Sequence, residues 1–600
     1  MRPVPHTSPD QLKTHEAETS SATGLARRFN LTRCEQLFWL AALLLGFLQA
    51  WARRHVSADG LAYMGPDGIS YLDIGNAYMR GDWYVAVNAM WSPLYSWLAG
   101  LWLQLFKPAP FWEFTVVRLL NFLIFVAALF SFAYFLRGLR RDRQLRINDA
   151  SLPEWSWLIF GYTTFIWTSL FMNRVWRTSP DLLLAALIFL TCGLLVRIRT
   201  DGSRRDLFVA LGVVLGISYL TKTIMFPLAL VFIVVAYLLA RRTMGFKPAF
   251  LRAGITLVIF LTLAAPFVIV ISRAKHRFTI GDSARLNYAW YVNGTTRFTH
   301  WQGEPAGSGT PLHATRKIFD APAIYEFSGA AGITYPPWYD PSYFYEGITP
   351  YFSLRQQIAA VWRNLTGLYG FLLYRFFILA LAFALFVLLY QSGKRQLVVR
   401  NLLAYWFLIV PSLIALALYL TINIELRYIA PFVAVIALSC LAGVQLAATP
   451  ETRRLVSGVS LGLLVFFVLS ILPHTARSAY SAVRDLSPGR SELRDVQWQV
   501  ANELQRRGVQ QNDRVASVGN TMFAAWPRLA RVRVVAEIPA APGGEAEKFW
   551  AVDENTRAQA LAAIAGTGAR VVVAEAAPSW AMQEGWQRLG NTNYLIHVLQ

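Results

Sequence analysis

The side chains that could do chemistry are few, and they fall in four short stretches. PDGISYLDIG holds Asp67, Tyr71 and Asp73; NRVWRTSPD holds Asn173, Arg174, Arg177 and Asp181; LTKT holds Lys222; ELRY holds Glu425, Arg427 and Tyr428. Brought to one surface, a carboxylate among several cations suits a reaction on a lipid-linked phosphate. The carboxylate would take a proton, and the cations would hold developing phosphate charge. Asp67 follows Gly65-Pro66 and so falls in the first turn of a short helix, where the helix dipole keeps it ionised. An ionised carboxylate can act as general base or metal ligand, but not as general acid. Ser70 and Tyr71 share its helical face, whereas Asp73 is turned about 120° away and reads as a solvated or structural group.

Each remaining candidate has two readings. Ser179-Pro180-Asp181 is an N-cap, a first-position proline and a first-turn acid, or else it supplies a second carboxylate to the same cavity. Arg174 and Arg177 are headgroup anchors or phosphate ligands. Lys222 snorkels to headgroups or meets a phosphate, and Arg427 pairs with Glu425 or grips phosphate bidentately. His276, His300 and His313 lack metal-ligand spacing, so no metal-ligand set is defined. Cys34, Cys192 and Cys440 lie in or beside apolar runs, which argues against a disulfide framework or a cysteine metal site.

The elements that must position these residues are membrane helices. The chain is 55% hydrophobic and 15% charged, and runs of roughly 18–20 apolar residues recur, each long enough to cross ~30 Å of hydrocarbon. The net charge of +21 sits in arginine clusters between those runs, the pattern of cytoplasmic loops and not of a nucleic-acid surface. About eleven spans are expected, beginning near Leu37, Phe114, Trp155, Leu182, Leu207, Met225, Ile255, Phe371, Leu402, Ile429 and Val456. Every second connection is basic, which puts the N-terminus inside and the C-terminus outside. Leu207 to Ala240 would be about 50 Å long as one helix, too long for a bilayer, so it must bend near Thr221-Lys222-Thr223. All four chemical stretches then meet at the outer membrane face.

The expected fold is thus mostly α, a polytopic helical bundle with a small C-terminal extracytoplasmic α/β domain. Residues 1–34 read as a disordered cytoplasmic tail, 35–475 as the membrane domain and 476–600 as the α/β domain. Within the membrane domain, outer loops are expected at 53–112 and 272–362. The first includes WSPLYSWLAGLWLQLF along the interface; the second is aromatic and suits an ordered lid or binding loop. In the tail, VASV, VRVVAEI, RVVVAEA and YLIHVL alternate with helical stretches, and GNTMFAA lacks the glycines of a dinucleotide loop. That tail reads as a structural or acceptor-binding module.

In that order, the motifs resemble those of the polytopic GT-C glycosyltransferases, in particular bacterial relatives of protein O-mannosyltransferases and lipid A aminoarabinose transferases. PDGISYLDIGNAYMRGDW is similar to their first-loop motif with the catalytic Asp, here Asp67. WSPLYSWLAGLW resembles the Pro-Pro-Leu-Tyr segment, though Trp91-Ser92-Pro93 stands where many aminoarabinose-transferase relatives carry Lys-Pro-Pro. TSPDLLLAALIFL, GISYLTKTIMFPLAL and ELRYIAPFVAVIAL resemble the segments that would supply Asp181, Lys222 and Arg427. The resemblance implies transfer of a sugar from a polyprenyl-phosphate donor to a hydroxyl of a lipid, glycan or protein, with Asp67 as base. It implies a multi-pass protein of the bacterial inner membrane with its site facing the periplasm or exterior. No cofactor is required, and a divalent cation is compatible. Asp67 and Asp181 would be the catalytic pair, and Tyr71, Arg174, Arg177, Lys222, Arg427 and Tyr428 would line the substrate and phosphate site. Two rivals are a transporter or flippase of a lipid-linked substrate and a non-catalytic assembly protein. Transporters favour charges at the midplane and repeated halves; here the charges gather at the outer edge and no repeat is evident.

Overall fold

The computed structural model describes residues 33–52, 65–146, 152–297, 300–327, 329–374, 376–392, 395–484, 495–540 and 543–599. Of the tail expected at 1–34, residues 1–32 lie outside the described residues, as do residues 53–64 at the start of the first loop; Arg33 and Cys34 already belong to the first helix. Helices stand at all eleven positions where apolar runs begin. In chain order they include α1 (Arg33–Ala52), α2 (Gly65–Met79, in the first loop), α3 (Pro93–Phe106), α4 (Glu113–Arg146) and α5 (Glu154–Ile166). Then come α6 (Asp181–Thr200), α7 (Arg205–Thr221), α8 (Met225–Met244), α9 (Phe246–Ala274), α10 (Phe376–Gln391), α11 (Trp406–Ile422), α12 (Leu426–Gly443) and α13 (Pro450–Arg484). Among the described residues, seven helices are long and apolar enough to cross a membrane, or eight if the bent pair Gln396–Leu403 and Trp406–Ile422 counts as one span. Of the others, Glu154–Ile166, Arg205–Thr221 and Phe376–Gln391 have 13, 17 and 16 residues, and the position near Phe371 falls at the end of the 21-residue helix Leu354–Tyr374, because a sequence window measures apolarity and not where a helix starts or stops.

Small residues set the close approaches. Gly212 and Gly216 on α7 are four residues apart and face α9, where a Cβ would come within 2.8 Å of the Thr256 carbonyl and 2.7 Å of Leu263. This is the small-xxx-small way of packing helices where lipid offers no competing hydrophobic drive. Gly75 of α2 meets Gly100 of α3 in the same manner, with a Cβ on either reaching 2.5 Å from backbone oxygen. α3 buries Tyr95, Ala99 and Leu103 and exposes Leu101 and Leu105, so it is amphipathic. The bend expected at Thr221-Lys222-Thr223 is present: α7 ends at Thr221, Lys222 is extended, and α8 begins at Met225.

The C-terminal region forms a sheet in the order β1-β2-β4-β3-β5-β7-β6. Its strands are β1 (Arg316–Phe319), β2 (Ile324–Glu326), β3 (Arg514–Gly519), β4 (Arg533–Pro539), β5 (Val571–Glu575), β6 (Gln587–Arg588) and β7 (Tyr594–Val598). β3 lies parallel between β4 and β5, with Ile324, Ala516, Val518, Ala536 and Val572 in its core. Four strands coincide with the expected apolar runs. β1 and β2 were not legible: they come from the loop at 272–362 and add to the sheet edge by antiparallel pairing of Tyr325 with Glu537. The loop is therefore stapled to the C-terminal domain.

A second tie runs to α2. Asp73, expected as solvated or structural, is buried and structural. It accepts from the Thr334 backbone N–H at 2.8 Å and hydroxyl at 3.0 Å, and pairs with Arg528, whose Nε also meets Glu113 at 2.7 Å. Asp82, beyond the Gly81 turn, caps the short helix Trp83–Ala86 through the Val85 N–H.

Candidate active site

The starts of α2, α6 and α12, together with the α7–α8 bend, converge on one cavity of about 270 Å³. Six of the eight site residues read from the sequence line it: Asp67, Tyr71, Asp181, Lys222, Arg427 and Tyr428. Arg174 and Arg177 do not. Arg174 lines a separate cavity, and the Arg177 carbonyl accepts from Asn121 Nδ2 at 2.9 Å. Their placement follows from a seven-residue π-helical stretch, Trp167–Asn173, after which the chain turns at Arg174 with φ +71. Such a turn redirects side chains in a way that sequence periodicity does not reveal.

Arg427 is the hub. Its Nε meets Glu425 at 2.7 Å, and its two terminal nitrogens meet Asp181 and Asp67, each at 3.3 Å. The pairing with Glu425 read from the sequence is present, and Arg427 also joins the two aspartates. A guanidinium can do this because its five N–H groups fan out in one plane. Lys222, which has no acidic neighbour in sequence, finds Asp181 across space at 2.6 Å. Its ammonium also sits 3.5 Å from the centroid of the Tyr428 ring, a cation–π contact that helps compensate for lost water. Tyr428 stacks on Tyr419 at 5.1 Å.

The acids are not equivalent. Asp181 starts α6 with Pro180, not Ser179, at the capping position, and its side chain is only 2% exposed between two cations. Asp67 is 23% exposed; one oxygen accepts from the Trp338 indole N–H at 3.2 Å and the other faces Arg427. Glu425 is 32% exposed but lies closer to Arg427. Asp67 is thus the more accessible of the two aspartates, while Asp181 is held between Lys222 and Arg427. Asp67, Asp181 and Glu425 converge on a guanidinium, and among the described residues no group of three His, Cys, Asp or Glu side chains has the arrangement of a metal site.

The loop at 272–362 closes the cavity with aromatic walls. Trp290 stacks on Trp338 at 5.7 Å, and the Arg297 guanidinium lies 5.7 Å from the Trp338 ring. Burial works against the charged form of Arg297 and lowers its pKa, with Asp67 the leading charge in opposition. Trp91 donates its indole N–H to the Tyr339 carbonyl at 3.1 Å, so it fixes the Trp338 segment. Sequence reasoning missed Trp338, Trp290, Trp91 and Arg297 as site residues. The signal for Trp290 and Trp338 was the concentration of aromatics in NYAWYVNG and TYPPWYDPSYFYEG.

No protein-family model matches the chain, and no curated protein matches it. Solved structures do. One is ArnT from Cupriavidus metallidurans bound to undecaprenyl phosphate, at 14% identity over 93% of this chain and 97% of that chain, with a TM-score of 0.46. Another is the same protein in the apo state, at 15% identity over 96% and 98%, with a TM-score of 0.40. A third is the oligosaccharyltransferase AglB from Archaeoglobus fulgidus in complex with an inhibitory peptide and a dolichol-phosphate. It is 11% identical over 90% of this chain and 70% of that chain, with a TM-score of 0.42. ArnT and AglB are members of the GT-C family. At these identities they assign no role to any residue of this chain.

Proposed function

We propose that the chain is a membrane glycosyltransferase that moves a sugar from a polyprenyl-phosphate donor to a hydroxyl of a lipid, glycan or protein acceptor on the extracytoplasmic face. The observation that carries this reading is the unequal pair of aspartates: Asp181 sealed between Lys222 and Arg427, and Asp67 open to the same cavity. Asp67 takes the proton from the acceptor hydroxyl as its oxygen bonds to the anomeric carbon. The bond from that carbon to the phosphate oxygen breaks with inversion, and the polyprenyl phosphate leaves with the electron pair. Lys222 uses one N–H on Asp181 and keeps two for the departing phosphate. Arg427, whose nitrogens already face three carboxylates, orients Asp67 and adds positive potential without having to ligate the phosphate directly. The indoles of Trp91, Trp290 and Trp338 offer apolar walls against which sugar faces pack. A divalent cation is not assigned a step.

The test is transfer from a panel of radiolabelled polyprenyl-phosphate sugars by the purified full-length protein in detergent. Label moving to an acceptor, or released as free sugar by slow hydrolysis, supports the reading. Complete inertness toward the panel, with vectorial movement of the same lipids in vesicles, would favour a flippase. Glu425→Gln distinguishes the two exposed acids: it retains transfer if Asp67 is the base.

A further inference from the structure

Two cavities, of about 470 and 220 Å³, lie between the ends of α2 and α3 and the turns at 511–512 and 528–532 of the C-terminal domain. Asn76, Arg80, Glu113 and Arg531 line both, so the two form one groove, and it shares no lining residue with the first cavity. We propose that this groove binds the phosphate of an anionic membrane lipid. Its cations include Arg80 just past α2, Lys107 at the end of α3 and Arg531 of the C-terminal domain. Among the described residues none of these three forms an ion pair, and Arg80 Nη2 meets the Ala331 carbonyl at 3.3 Å. The one acid on the described lining, Glu113, is already engaged by Arg528 Nε at 2.7 Å.

The backbone holds these cations in place at some cost. Lys107 closes α3 at φ +42, and Arg531 closes the short helix Trp526–Ala530 at φ +57, left-handed positions that favour glycine. Both are pinned: the Lys107 N–H donates to the Leu103 carbonyl at 2.9 Å, and the Arg531 carbonyl accepts from the Asn512 N–H at 2.8 Å. Gly332, at φ +79, makes room for Arg80, because a Cβ there would come within 2.9 Å of the guanidinium. Asn76, with its amide oxygen 2.8 Å from Arg528 Nη2, keeps its N–H groups as donors on the groove wall. Guanidinium, ammonium and amide donors gathered around one groove match the oxygens of a phosphate.

The shape of α3 points to a lipid as the source. Gly100, Leu103 and Gln104 line the groove, while Leu101, Leu105 and Phe106 are 59%, 70% and 49% exposed on the adjoining flank. A helix with an apolar flank and a cation at its end suits the headgroup layer, where acyl chains meet the flank and the phosphate meets Lys107. A free phosphate has no use for that flank.

The experiment follows the melting midpoint of the full-length protein in detergent with added dioleoyl phosphatidylglycerol, dioleoylglycerol or inorganic phosphate. Phosphatidylglycerol should raise the midpoint, and the other two should not. Lys107→Gly with Arg531→Gly removes two cations and places glycine at two left-handed positions, so the fold is kept. This double variant should raise the half-saturating lipid concentration about tenfold or more, as expected for losing charge-assisted hydrogen bonds. Arg80→Gln, which changes one exposed side chain, should show a smaller rise. Arg506→Gln removes a cation that is 72% exposed elsewhere on the C-terminal domain and should respond as the wild type does. An equal response to dioleoylglycerol would overturn the phosphate contact, and an equal response to inorganic phosphate would overturn the lipid assignment. An undiminished response in Arg80→Gln and in the double variant, or an equal loss in Arg506→Gln, would overturn the site.

Discussion

Replacing Arg528 with methionine removes the centre of a buried charge triad while keeping an unbranched side chain in its place. Asp73 and Glu113, with side chains 1% and 10% exposed, then keep their charges and lose their common partner. Stranding one buried charge costs about 3–5 kcal/mol, a factor of roughly a hundred to a few thousand in the folding equilibrium, and two are stranded here. The pH dependence follows from the environment of Asp73: burial pushes its carboxyl up, against the pull of Arg528 and of hydrogen bonds from Thr334. Without Arg528 the upward shift grows. A carboxyl raised in the folded state contributes stability that is fully present below its unfolded value, near 4, and lost as pH rises through the folded value. The deficit of Arg528→Met should therefore be largest at pH 7.5 and shrink toward pH 4.5. Denaturant unfolding of the purified full-length protein at both pH values reads this directly. The triple variant Arg528→Met, Asp73→Asn, Glu113→Gln should recover much of the loss, because no charge remains buried and unpaired. A deficit under about 1 kcal/mol at pH 7.5, or one that grows on acidification, would refute the account of the triad.

Three further outcomes follow. Lys222→Met should lower transfer by roughly 10²–10³-fold in kcat, the scale for removing one donor to developing charge, while Arg427 still pairs with Asp181; a change confined to KM would make Lys222 a ground-state contact only. Trp338→Phe deletes the indole N–H to Asp67 while keeping a ring in the wall, and should cost about tenfold in kcat, the scale of one hydrogen bond to a charged group. Gly100→Ala drives a methyl to within 2.5 Å of the Gly75 carbonyl, so denaturation should show a loss of about 1–3 kcal/mol.

Much of the site was legible because its parts lie at element boundaries. Gly65-Pro66-Asp67, Pro180-Asp181 and the basic ends of Leu207–Ala240 announce helix starts and a bend by rules of backbone chemistry alone, and the structure puts them together. Four C-terminal strands were equally plain from their β-branched runs. What stayed hidden depends on contacts between distant segments. Lys222 meets Asp181 across 41 residues, β2 joins β4 across more than 200, and Arg528 reaches Asp73 across 455. Arg174 and Arg177 stand apart from the other six because the π-helical stretch turns the chain by an amount that no residue pattern in NRVWRTSPD encodes.

The central claim is that Asp67 takes the acceptor proton. The most direct measurement compares single-turnover transfer by wild type, Asp67→Asn, Asp67→Glu and Glu425→Gln, each purified full-length, with one active polyprenyl-phosphate sugar. The account predicts that Asp67→Asn loses at least about 10²–10⁴-fold in rate, that Asp67→Glu keeps part of it, and that Glu425→Gln stays near wild type. Undiminished transfer by Asp67→Asn, or loss in Glu425→Gln alone, would contradict it.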